Sequence, residues 1–98
     1  MINDHDPLRN YIATRADEAF AAVVRHYLPL VYGAALRRIG GDAHCAQDVT
    51  QAAFTALARN ARALANHPDV AGWLFTTTRF LAAKTLRTER SASSANKR

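Results

Sequence analysis

Apolar residues recur at three- and four-residue spacing along nearly the whole chain. No segment alternates apolar and polar residues for long, so the pattern predicts helices and no strand. A short first helix is expected from Pro7 to about Arg15, since proline is tolerated at a first helical position and Asp6 can cap it. A stronger helix is expected from about Ala16 to Tyr27, with Ala19, Phe20, Val23 and Val24 as its apolar stripe. Pro29 has no N–H to give to a helix interior and is expected to interrupt the ladder. The next helix, about Leu30 to Ile39, would turn Val31, Ala34, Ala35 and Leu36 inward, and Gly40-Gly41 would end it.

Asp42 is placed to cap a long helix from Ala43 to about Leu64, whose inward series is Ala46, Val49, Ala53, Leu57, Ala61 and Leu64. Asp48, Gln51 and Thr55 then share the opposite side. The segment Ala65-Asn66-His67-Pro68 breaks this helix, because the residue before a proline is driven out of the helical region. Asp69 can cap a last helix from Val70 to about Arg90, and the small polar residues from Ser91 to Arg98 read as a disordered tail or linker remnant. The fold expected is all-α: a compact bundle of three to four main helices, with a short N-terminal helix and a disordered C-terminal tail. One helical domain would occupy residues 1–90 and the tail residues 91–98.

At 98 residues the chain buries one modest core. Its strictly apolar runs, such as Ala19 to Val24, fall far short of the roughly 20 residues that span a bilayer. The first six residues carry carboxylates where an export signal would carry lysines and then an apolar stretch, so a cytoplasmic location with no membrane partner is expected. Cys45 is the only cysteine and has no intramolecular partner for a disulfide.

Charge changes the picture more than composition does. The net charge is +5, yet residues 1–58 are close to neutral, with five basic and six acidic groups. From Arg59 onward eight basic groups (Arg59, Arg62, Arg79, Lys84, Arg87, Arg90, Lys97 and Arg98) face only Asp69 and Glu89. A basic C-terminal half is the electrostatic footprint of a polyanion-binding surface. Within it Trp73, Thr76, Phe80, Lys84 and Arg87 fall at helical spacing, an aromatic and basic stripe suited to nucleic acid. Catalysis finds no footing. The four histidines pair with no Cys, His or carboxylate at zinc-ligand spacing, Gly40-Gly41 lacks the lysine and third glycine of a phosphate loop, and no nucleophile triad stands out. No enzyme activity, metal or cofactor is expected.

Two stretches carry a family resemblance. Asp48-Val49-Thr50-Gln51-Ala52-Ala53-Phe54 resembles the D-x-x-Q-x-x-F signature of region 2 in extracytoplasmic-function sigma factors, the promoter-specificity subunits of bacterial RNA polymerase. Gly72-Trp73-Leu74, with Arg79 after it and arginines near the helix end, is similar to the promoter-contacting part of the same region. The likeness covers about Glu18 to Arg90.

The resemblance implies a domain that docks on the clamp coiled coil of the largest core RNA polymerase subunits through Asp48 and Gln51, with Thr55 on the same face. It implies contact with promoter −10 DNA, mainly single-stranded, through Arg59, Arg62, Trp73, Thr76, Arg79, Phe80, Lys84, Arg87 and Arg90. The loop from about Ala65 to Ala71, with Asn66, His67 and Asp69 as its polar groups, would receive a flipped base. It also admits an anti-sigma factor as a regulatory partner. Two positions depart from the family pattern: members often have a basic residue where Thr76 stands and an asparagine where Phe80 stands. A complete factor continues into a second helical domain, region 4, so the chain reads as an isolated region 2. The competing reading is a small helical interaction module whose basic face binds an acidic regulatory partner and no DNA.

Overall fold

The computed structural model describes residues 7–96, with side chains described through residue 88. Four helices follow one another: α1 (Pro7–Thr14), α2 (Asp17–Ile39), α3 (Ala43–Arg59) and α4 (Val70–Asn96). No strand occurs among the described residues. Asp6, the expected cap of α1, lies outside them.

α2 is the hub, packing against each of the other three helices, while α3 and α4 also pack on each other. Its two ends serve two connected cores. Val23 and Val31 join Leu8, Ala53, Phe54, Leu57, Ala61, Leu64 and Leu74 in the larger one. Ala35 meets Ala46, Val49 and Ala82 in the smaller. Alanines at these last crossings let the helix axes approach closely, and valine and leucine fill the wider end.

Pro29 does not interrupt the helix, as the sequence pattern had implied; it sits inside α2. Proline in a helix interior costs about 3 kcal/mol, because it deletes one ladder hydrogen bond and crowds the preceding turn. Here Pro29 and Arg25, the residue whose carbonyl it leaves unbonded, are both exposed, while Val23 and Val31 on either side are completely buried. Burial on both flanks outweighs the local defect. The uninterrupted helix is also long and apolar enough, by length and composition alone, to cross a membrane, which its short apolar runs did not suggest. In the fold α1, α3 and α4 cover part of that apolarity, burying Ala19, Val23, Val31, Ala34 and Ala35.

Helix ends follow local chemistry. The backbone N–H groups of Gly40 and Gly41 both donate to the Leu36 carbonyl, with φ of 88° and 96°, a closure that glycine adopts without strain. Asp42 caps α3 by accepting the Cys45 N–H at 3.1 Å. α3 stops at Arg59, short of the expected Leu64. The Asn60 side chain competes there for the Ala56 carbonyl at 2.7 Å, and the chain goes on in irregular turns. Ala61 and Leu64 still reach the core as expected. α4 extends to Asn96, past the end foreseen near Arg90. The side chain of Arg90 and residues 97 and 98 lie outside the description.

Candidate functional site

The expected inward faces of α2 and α3 are the ones that pack, and this leaves two separated surfaces. On α3, Ala46, Val49, Ala53 and Leu57 are buried, so Asp48, Gln51 and Thr55 turn outward together. Phe54 packs inward, 5% exposed. Gln51 lines both parts of a shallow, largely apolar groove between α2 and α3. One part, about 570 Å³, is lined by Leu28, Pro29, Tyr32, Gln47, Thr50 and Gln51. The adjoining part, about 490 Å³, adds Phe20, Val24, Phe54, Thr55, Ala58 and Arg59. Thr50 could have stranded a hydroxyl at this buried position, but it donates to the Ala46 carbonyl at 2.7 Å. Thr55 likewise donates to the Gln51 carbonyl at 2.9 Å. Asp48 is not among the residues that line the groove; it is exposed on α3, 3.9 Å from the exposed His44 one turn earlier, a His–carboxylate pair at i, i+4 that the spacing of the histidines had been read to exclude.

This groove could not be read from α3 alone. Leu28, Pro29, Tyr32 and Gln47 belong to it because α2 runs straight past Pro29 and lays a second wall beside Gln51. Leu28 is 40% exposed, unusual for a large apolar side chain. Arg59, expected with the DNA-facing groups, lines the Thr55 end of the groove, and Arg62 is exposed on the turns that follow.

The second surface lies on α4. Leu74, Thr78 and Ala82 are buried, which sends Thr76, Phe80, Lys84 and Arg87 to solvent along one face. Phe80 is 62% exposed, the largest uncovered aromatic among the described residues. Trp73 shares the face but is half-buried, packed against the larger core. Thr78 is silent in this surface: fully buried, it donates to the Leu74 carbonyl at 2.7 Å. Arg79 sits a quarter-turn from Phe80, with its guanidinium over the Phe75 ring at 5.8 Å. It faces a cleft shared with Arg37 and Arg38 of α2, which the sequence pattern had not singled out.

The loop before α4 is held by its own polar groups. Asp69 accepts the Gly72 N–H at 2.8 Å, which caps the helix as expected. A side chain at Gly72 would collide with the Asp69 carboxylate, so glycine here lets the cap sit close. The Asp69 N–H donates to Nδ1 of His67 at 2.9 Å. A neutral His67 must then carry its proton on Nε2, which leaves an N–H donor on the exposed edge of the loop beside the exposed Asn66. Asp69 is committed to the backbone. The loop's free polar chemistry comes from Asn66 and His67.

Among the described residues, no three of His, Cys, Asp and Glu gather as metal ligands would. The arrangement offers a shallow groove between α2 and α3 on one side, and an aromatic and cationic helix face on another. No match was found among curated proteins or among solved structures. A model of the sigma-70 region 2 family matches residues 23–92, which take in most of α2 and all of α3, the polar loop and the exposed face of α4. With well over half of its length matched, the chain belongs to the sigma-70 region 2 family.

Proposed function

We propose that this domain serves transcription initiation as region 2 of a sigma factor of the extracytoplasmic-function type, with its two surfaces taking two different partners. The α2/α3 groove receives the clamp coiled coil of core RNA polymerase. Leu28, Pro29 and Tyr32 supply apolar contact, and Asp48 and Gln51 supply an acceptor and an amide for the partner's basic and polar side chains. The face of α4 holds the unpaired −10 strand, with a base stacked on Phe80 and phosphates near Lys84 and Arg87. The loop donor on His67, with Asn66, meets a base that has left the stack. Unstacking a base costs a few kcal/mol, so such a loop must return that energy through contacts.

The observation that carries this reading is the exposure of Phe80 on a helix face that also presents Thr76, Lys84 and Arg87 to solvent. A single exposed apolar side chain is ordinary on a protein surface; what gives Phe80 weight is its place beside Thr76, Lys84 and Arg87, where a ring and cations can share one strand. Two binding measurements test the proposal. Fluorescence anisotropy should show salt-sensitive binding to a single-stranded oligonucleotide that exceeds binding to the same sequence as duplex. Pull-down of core polymerase should fail for the Asp48→Ala/Gln51→Ala variant while its DNA binding persists. Indifference to strand state, together with retention of an acidic peptide, would favour the interaction module; polymerase capture by the double variant at the wild-type level would end the docking assignment.

A further inference from the structure

Beyond Leu28 and Tyr32 the α2/α3 groove continues into its second part, which Phe20, Val24, Phe54 and Arg59 help to line. Phe20 belongs to this wall and also to a contact with α1: its ring lies 5.0 Å from that of Tyr11, tilted by 54°. A half-buried ring between a groove and a neighbouring helix takes its place from what packs behind it. Whatever holds Tyr11 therefore bears on the shape of the groove.

Tyr11 is held by Arg15, one turn further on. The Arg15 guanidinium lies over the Tyr11 ring, 5.1 Å from its centre, and Nη1 donates to the tyrosine hydroxyl at 3.2 Å. The Arg15 backbone is unusual, with φ of 55°, the one positive value among the described residues other than glycine. This conformation ends α1, the Arg15 N–H donating to the Tyr11 carbonyl at 2.6 Å, and turns the chain into α2. Glycine would make the same turn with less strain, whereas arginine adds the grip on Tyr11. Burial is the ordinary account of α1: Leu8 is 2% exposed in the larger core, and Tyr11 and Ile12 pack against it. That account reaches neither Arg15, which is exposed, nor its strained backbone.

We propose that Arg15 and Tyr11 are positioning residues for polymerase docking: packed in series, Arg15 on Tyr11 and Tyr11 on Phe20, they hold the Phe20 ring in the wall of the groove. The inference rests on the assignment of that groove to the clamp coiled coil. Residues 7–22 precede the family match at 23–92, so membership of the family assigns them no part in docking. Without the Arg15 contact the Tyr11 ring gains freedom, Phe20 follows it, and the partner must order both rings as it binds. Arg15→Gly removes the contact and the backbone strain together, so stability stays level while the hold on Phe20 is lost.

The test titrates core RNA polymerase against the full chain carrying a fluorescent label. Arg15→Gly should weaken binding by about two- to fivefold, the scale of one exposed cation–π contact. Its circular dichroism melt should not fall, and its affinity for a single-stranded oligonucleotide should stay at the wild-type level, since α4 is untouched. Phe20→Leu keeps the apolar bulk and gives Tyr11 no ring to pack on. In that background Arg15→Gly should weaken polymerase binding no further, because the two substitutions break one chain of contacts. The full loss from Arg15→Gly in the Phe20→Leu background overturns the proposal, since Arg15 would then touch polymerase itself. Wild-type affinity in Arg15→Gly overturns it while Asp48→Ala/Gln51→Ala still abolishes capture. A parallel fall in melting temperature and in both binding activities also overturns it, because the contact would then serve only the fold. A wild type that binds no polymerase removes the docking reading and this one with it.

Discussion

Replacing Phe80 and Trp73 singly with alanine should separate DNA affinity from folding, because the two rings share one face of α4 at different depths. Phe80 is 62% exposed, so its loss should move folding stability by no more than about 0.5 kcal/mol, as for other surface positions. A base stacked on an aromatic side chain is worth about 1–3 kcal/mol, and 1.4 kcal/mol is a factor of ten. Phe80→Ala should therefore weaken single-strand binding by about 5- to 150-fold while the urea midpoint stays put. Trp73 is half-buried against the larger core. A fully buried aromatic costs about 3–5 kcal/mol on truncation, so about 2 kcal/mol is expected here. That is a large share of the roughly 5–15 kcal/mol available to a domain of this size. Anisotropy at fixed salt reads the affinity and circular dichroism in urea reads the stability. Trp73 is the only tryptophan, so its fluorescence follows both unfolding and DNA binding in the Phe80→Ala variant. Wild-type affinity in Phe80→Ala, or equal destabilisation by the two substitutions, would refute the division of labour drawn from their burial.

Three further outcomes follow from particular contacts. Leu57→Ala should lower stability by about 2–5 kcal/mol in a urea titration, since Leu57 is 0% exposed at the centre of the larger core. Pro29→Ala should raise the melting temperature by restoring a ladder hydrogen bond worth about 1 kcal/mol, yet weaken polymerase capture, because Pro29 lines the α2/α3 groove. The backbone hydrogen bond from Cys45 holds the Asp42 carboxyl below the usual carboxylate range. A lowered folded pKa gives stability that is present above the ordinary value of about 3.9 and lost as pH falls through the folded value. The acid side of a plot of melting temperature against pH should thus be shallower for Asp42→Asn than for the wild type.

Helical periodicity made most of the fold legible. The inward residues of α3 were readable from spacing alone, because a half-buried helix must place its apolar groups three and four apart. Pro29 was misleading for a physical reason: local propensity registers a missing N–H, but the burial of Val23 and Val31 that overrides it comes from other helices. The early end of α3 has the opposite origin. There Asn60, a residue ordinary enough in a helix, turns its own side chain on the ladder. The shared outward faces of Asp48 with Gln51 and of Thr76 with Phe80 and Lys84 could be foreseen because each face is carried by one helix. The α2 wall of the groove and the Arg37, Arg38 and Arg79 cleft could not, since they exist only where two helices distant in sequence meet. In the charge count Arg37 and Arg38 fell in the near-neutral half of the chain. Their local arginine pair was the one signal available.

The unbroken course of α4 makes it a ruler. From Trp73 to Arg87 the helix rises about 21 Å at roughly 1.5 Å per residue. A stacked strand advances about 3.4 Å per nucleotide, so the exposed face can accompany about six nucleotides. Because the helix has no break between Phe80 and Arg87, a strand bound there as proposed would adapt its spacing to the protein. One residue inserted between Phe80 and Lys84 would swing Lys84 and Arg87 about 100° around the helix from the Phe80 ring, whereas a change elsewhere in the bundle would leave the measured length untouched.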